Sequence, residues 1–153
     1  MKTFLIIVFL LMAFNACSTK NAYSSLKITP FQEKSEENTL SSKIQYKDTI
    51  DGLVTAIYLN ALEPETYDGE EYFYVYLYTK TNNDDIKFLL NDKEATKVEE
   101  LKAENIFSHL SKFKTDWSQY YLVSFIKEDE NLSFQVQNDK FSSDKLLFQR
   151  AEK

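Results

Sequence analysis

Residues 71–79 read Glu71-Tyr72-Phe73-Tyr74-Val75-Tyr76-Leu77-Tyr78-Thr79. Tyr72, Tyr74, Tyr76 and Tyr78 occupy every second position, and Phe73, Val75 and Leu77 fill the places between. A period of two puts the tyrosines on one side of an extended chain and the other three on the opposite side. A helix would scatter the tyrosines around its circumference. The stretch is therefore a strand, and with both faces apolar it is either covered on both sides or carries an aromatic outer face.

The same type of signal extends both ways. Leu53–Leu62 is rich in β-branched and apolar residues and ends at Glu63-Pro64, a strand-breaking pair. Ile86–Leu90 and Glu94–Val98 flank Asn91-Asp92-Lys93, and Asn and Asp tolerate the positive φ of a tight hairpin. Asn138-Asp139-Lys140 repeats that turn between Asn131–Gln137 and Phe141–Gln149. With Gln119–Lys127 ahead of them, these segments predict a three-stranded antiparallel meander. Glu99–Lys114 fits a helical stripe only in part, which predicts one or two short helical turns. Trp117, beside Tyr120 and Tyr121, is expected as a core aromatic at a sheet corner. Residues 17–46 are polar and weakly patterned, with one early strand expected around Leu26–Phe31. Seven to eight strands joined by polar turns predict an all-β chain, an antiparallel β-sandwich of Ig-like kind, with a small closed β-barrel as the alternative. At 153 residues there is room for one such domain, expected over 26–153.

Composition excludes several function classes. The net charge is −6, opposite to the basic surface that nucleic acid requires, so no nucleic-acid partner is expected. The chain holds two glycines, one histidine (His109) and one cysteine (Cys17). A glycine-rich phosphate loop, a Cys/His zinc site and an intramolecular disulfide are thereby excluded. No metal, cofactor or catalytic constellation is expected, and the chain reads as a non-enzyme. Seventeen lysines stand against one arginine, Arg150.

The N-terminus carries a different signal. Met1-Lys2-Thr3 leads into an 11-residue apolar run, Phe4–Phe14, followed by Asn15-Ala16-Cys17. A positive start, a short apolar run and a small residue at the exit are the layout of a secretory signal peptide. The run is short of the ~20 residues that span a bilayer. Phe14-Asn15-Ala16-Cys17 resembles the lipobox of bacterial lipoproteins, with Phe14 and Asn15 where the family prefers Leu and Ala or Ser. The resemblance covers about the first 17 residues. It implies cleavage after residue 16, acylation of Cys17 by palmitate-type chains, and a membrane anchor of the mature chain. Lys2 is the leader's one charge, so its loss takes the net charge from −6 to −7. Cys17–Ser25 reads as a flexible tether. Ser18 is not the Asp that resembles an inner-membrane retention signal, so the resemblance implies the outer membrane of the cell envelope.

Four features are candidate sites. The row Tyr72, Tyr74, Tyr76 and Tyr78 offers large contact area at low entropic cost. It suits an envelope protein partner or, alternatively, stacking on a small ligand or carbohydrate. Glu63, Glu65, Asp68, Glu70 and Glu71 surround Gly69 as hard-cation ligands would, but their spacing matches no calcium loop, and a solvated loop is the competing reading. Asn131-Leu132-Ser133 is the chain's Asn-x-Ser/Thr sequon, and with Asp129 two residues ahead it resembles the acceptor of bacterial oligosaccharyltransferases, making Asn131 a glycosylation candidate. His109 lacks a second His or Cys and reads as a surface or capping residue.

Overall fold

The computed structural model describes residues 29–81, 85–110, 115–127 and 131–150. The leader, Cys17, the tether and residues 26–28 of the strand expected around Leu26–Phe31 lie outside them, and the last two residues of that expected strand, Pro30 and Phe31, are helical instead. Helix α1 (Pro30–Glu37) opens the described chain. Thr29 caps it, its Oγ1 accepting from Gln32 N at 3.2 Å, and Pro30 sits where a missing N–H costs nothing. Strands β1 (Thr39–Tyr46) and β2 (Thr49–Tyr58) form a hairpin, and one turn of helix, α2 (Leu59–Leu62), follows. Then come β3 (Glu70–Thr79), β4 (Lys87–Leu90), β5 (Lys93–Glu94), β6 (Lys97–Leu101), β7 (Gln119–Ile126), β8 (Leu132–Gln137), β9 (Ser142–Ser143) and β10 (Leu146–Phe148).

The all-β, antiparallel expectation holds. The strands belong to one sheet, ordered β5-β4-β8-β9-β1-β2-β3-β7-β6 with β10 beside β8, where two facing sheets of Ig-like order were expected. That sheet curls into a half-barrel. Its two outermost strands, β5 and β6, are neighbours in sequence. Ala95 N donates to Phe88 O of β4 at 3.0 Å, and the next residue, Thr96, donates to Ser124 O of β7 at 2.9 Å. One short segment thus bonds to the two far parts of the sheet.

The physical reason for a single curl is the interior. Phe73, Val75 and Leu77 of β3 face it, together with Val54, Ala56 and Tyr58 of β2, Val123 and Phe125 of β7 and Phe134 of β8. Phe73 lies at the middle, with ring centroids at 5.0 Å from Phe134, 5.1 Å from Tyr58 and 5.3 Å from Phe148. Aromatic side chains of this volume fill the concave side, so it is a packed core. Curvature comes partly from a bulge: Ile44 opposes Gly52 but Gln45 opposes Ile50, leaving Asp51 as the extra residue. A Cβ on Gly52 would stand 1.9 Å from Tyr78 O, so only glycine lets β2 and β3 approach there.

Several local expectations are corrected. The predicted meander does not form, since β7 pairs with β3 and β6 while β8 pairs with β4, β9 and β10. The strand expected over Leu53–Leu62 ends at Tyr58 and turns into α2. The described part of Glu99–Lys114 holds the end of β6 and a run of turns rather than a helix. Trp117 is 70% exposed instead of buried. The Asn91-Asp92 hairpin is present, with both residues at positive φ (49° and 63°) as a type I′ turn requires.

Candidate docking surface

The tyrosine row lies on the convex side of the sheet, and the structure divides it. Tyr74 is fully buried. Phe107, from the loop after β6, stacks over it at 5.1 Å, and Tyr120 of β7 lies parallel to it at 6.3 Å. Ile57, Leu59 and Leu62 complete this second, outer cluster. Burial pushes the Tyr74 hydroxyl up to about 12, against a lowering hydrogen bond from Asn105. Tyr72 and Tyr76 are half-buried at its margin, Tyr72 against Tyr67 at 5.2 Å and Tyr76 against Tyr120 at 6.1 Å. Tyr72 is also held neutral by its hydrogen bond to Glu70. Only Tyr78 emerges, 39% exposed.

Register explains what surrounds Tyr78. It stands opposite Leu53 of β2, and Leu53 stands opposite Lys43 of β1, so Lys43, Leu53 and Tyr78 form one exposed row across three strands. Ile50 (52% exposed) and Leu53 (49%) precede and begin this part of β2, and Trp117 lies just before β7 at the same end of the sheet. The end is braced from within. Asp51 is buried and its carboxylate accepts from Thr81 Oγ1 at 2.6 Å and Thr81 N at 3.3 Å. Lys80 N donates to Asp51 O at 2.9 Å and its ammonium to Ile50 O at 3.4 Å. Lys47, over the Tyr46 ring at 5.2 Å, adds a further cation, and Asp48 and Asp116 are exposed nearby in sequence. The result is a firm, mixed-charge surface with four large apolar side chains facing water.

The other candidates are placed as follows. The acidic loop disperses rather than converging. Asp68 accepts from Gly69 N at 2.8 Å and Lys127 Nζ at 3.3 Å, whereas Glu71 leaves the loop for the barrel interior. Among the described residues no group of three or more His, Cys, Asp or Glu is placed to hold a metal ion. Asn131 is exposed, but Leu132 is fully buried, and Ser133 gives its N–H to Asn91 Oδ1 at 2.9 Å with its own hydroxyl buried. Asp129 lies outside the described residues. His109 is exposed, with Nδ1 2.8 Å from Ile106 O.

Sequence reasoning missed the buried cluster at the end of the half-barrel nearest α1. Glu71, 1% exposed, accepts from Tyr58 at 2.5 Å and from the guanidinium of Arg150. Burial, then the hydrogen bond to Glu71, keeps the Tyr58 hydroxyl protonated far above its ordinary range. The Arg150 guanidinium is lowered by desolvation, but Glu71 more than reverses this and leaves it raised. The available signal was the lone arginine among seventeen lysines, because a planar guanidinium suits a buried carboxylate better than an ammonium does. These features define the chain as an all-antiparallel, aromatic-cored half-barrel with an exposed apolar end. Compared with known proteins, it matches no family model, no curated protein and no solved structure.

Proposed function

We propose that this chain is a lipid-anchored envelope lipoprotein whose domain is a non-enzymatic docking module for a protein partner. The observation that carries the reading is the gathering of exposed Ile50, Leu53, Tyr78 and Trp117 at one end of the sheet. Exposed apolar groups set among polar residues are the composition of contact surfaces, and tyrosine and tryptophan are enriched there. Position supports a protein rather than a bilayer as the occupant. The described chain begins beside α1, and β1 runs from there to the turn at Lys47, so the apolar patch sits at the opposite end of a strand pair about 30 Å long. Eleven residues lie between Cys17 and Thr29, and a coil of that length spans about 19 Å on average, less than the length of the strand pair. An anchor at Cys17 therefore favours holding the α1 end toward the membrane and the patch away from it. The outer membrane is the proposed site of the anchor, from the Ser18 argument.

A photo-activated cross-linking residue placed at Tyr78 or Leu53 of the full chain tests this in the native cell. One envelope protein captured at both positions, and not at the more exposed Ile126 or Leu147, is the expected result. Identical capture at all four positions would overturn the assignment of the surface. The anchor has its own test, because Cys17→Ala should move the folded protein out of the membrane fraction. A variant that stays membrane-bound refutes lipidation at Cys17.

A further inference from the structure

A pocket of about 280 Å³ opens at the other end of the molecule, where α1, the turn after α2 and the loop following β6 meet. Its volume corresponds to about nine liquid waters, which suits a ligand of a similar number of heavy atoms. Leu59, Leu62 and Phe107 form its apolar wall, and the rings of Phe31 and Tyr67 border it. Among the described residues, Glu63 is its one carboxylate, and no lysine or arginine lines it. Lys34, on the same helix as Phe31, gives its ammonium to Leu62 O at 3.2 Å and lines the neighbouring cleft instead.

The walls are set by local hydrogen bonds. Thr66 N and Tyr67 N both donate to Glu63 O at 3.0 Å, and Asn60 Nδ2 donates to Tyr67 O at 2.8 Å. The Tyr67 ring packs against Tyr72 at 5.2 Å and Phe107 at 6.5 Å, while Phe31 stacks on His109 at 5.9 Å. His109 Nδ1 lies 2.8 Å from Ile106 O, which fixes the ring beside Phe31. Burial first, and the nearby Glu63 carboxylate second, keep the Tyr67 hydroxyl protonated. The pocket therefore combines aromatic faces and a carboxylate, which together complement a positive charge carried on an apolar body.

We propose that this pocket binds a small organic ammonium ion, its apolar body against Leu59, Leu62 and Phe107 and its cationic head toward Glu63 and the Tyr67 ring. The proposal is independent of the docking surface, which lies at the far end of the sheet. Titrating the full chain with 2-phenylethylammonium, 2-phenylethanol and 3-phenylpropionate, followed by protein-observed NMR, separates shape from charge. The ammonium should bind at one site about tenfold more tightly than the alcohol, and the carboxylate more weakly still. Shifts should centre on Phe107, His109 and Leu110. Glu63 is exposed, so Glu63→Gln leaves the fold intact and should bring the ammonium down to the affinity of the alcohol. Equal binding of all three compounds, shifts centred elsewhere, an unchanged Glu63→Gln affinity, or no saturable binding of the ammonium would each overturn the proposal.

Discussion

Replacing Arg150 with methionine keeps the aliphatic stem of the side chain and removes its charge. Glu71, 1% exposed, is then left with the Tyr58 hydroxyl at 2.5 Å and no counter-charge from Arg150. Breaking a fully buried ion pair from one side costs about 3–5 kcal/mol. The Arg150 side chain is 32% exposed, so water reaches the site and the expected loss falls to about 2–3 kcal/mol. Glu71→Gln should be milder, about 1–2 kcal/mol, because the amide still accepts from Tyr58 and Arg150 can turn to solvent. In the double variant no buried charge is stranded, so its cost should fall clearly below the sum of the two. Urea denaturation of the full chain, followed by circular dichroism, reads all three. With a slope of about 1.5 kcal/mol per molar urea, Arg150→Met lowers the midpoint by about 1.5 M. A parent-like midpoint for Arg150→Met, or a strictly additive double variant, would refute the buried-pair reasoning.

Two further outcomes follow from the packing. Gly52→Ala drives a methyl to 1.9 Å from Tyr78 O, so β2 and β3 must part, and the thermal unfolding midpoint should fall by an amount worth about 3 kcal/mol. A loss below about 0.5 kcal/mol would mean that the bulge yields freely. High pH should also unfold the protein. The hydroxyls of Tyr74 and Tyr121 are pushed up to about 12 by burial, above the ordinary value of 10.0. Their contribution is complete below pH 10 and is lost as pH rises toward 12, because only the unfolded chain releases those protons in that range. Each tyrosine contributes a slope of about 1.4 kcal/mol per pH unit there. A denaturation midpoint that stays constant across this window would show that the two hydroxyls are solvated.

Alternation along β3 was legible from residues 71–79 because side-chain parity is a local property of an extended chain. The Asn91-Asp92 hairpin was legible for a similar reason, since both residues tolerate the positive φ it uses. Helix α1 could also have been read from Thr29-Pro30, a cap followed by a residue suited to the first helical position, but Leu26–Phe31 was read as a strand and the polar residues after it have little to bury. Strand partners were a different matter. β7 and β8 are separated by five residues, yet each bonds to strands far away in sequence, because all the large aromatic side chains gain most by sharing one interior.

For the candidate sites, local sequence located the tyrosines but not their fate. The alternation placed all four on one face, whereas Phe107, thirty-three residues downstream of Tyr74, decides that Tyr74 is buried and Tyr78 is not. Trp117 was expected inside on hydrophobicity alone, but it is 70% exposed just before β7, while Phe107 of the same connection is the ring that covers Tyr74. Composition and residue order by themselves determined an all-β chain, its strand faces, its turns and the lipobox resemblance at Cys17, all of which follow from neighbours in sequence. The tertiary structure alone decided the single curled sheet, the Tyr58–Glu71–Arg150 cluster and the exposed end around Tyr78. Each of these depends on which distant side chains exclude water from one another, and no local pattern encodes that choice.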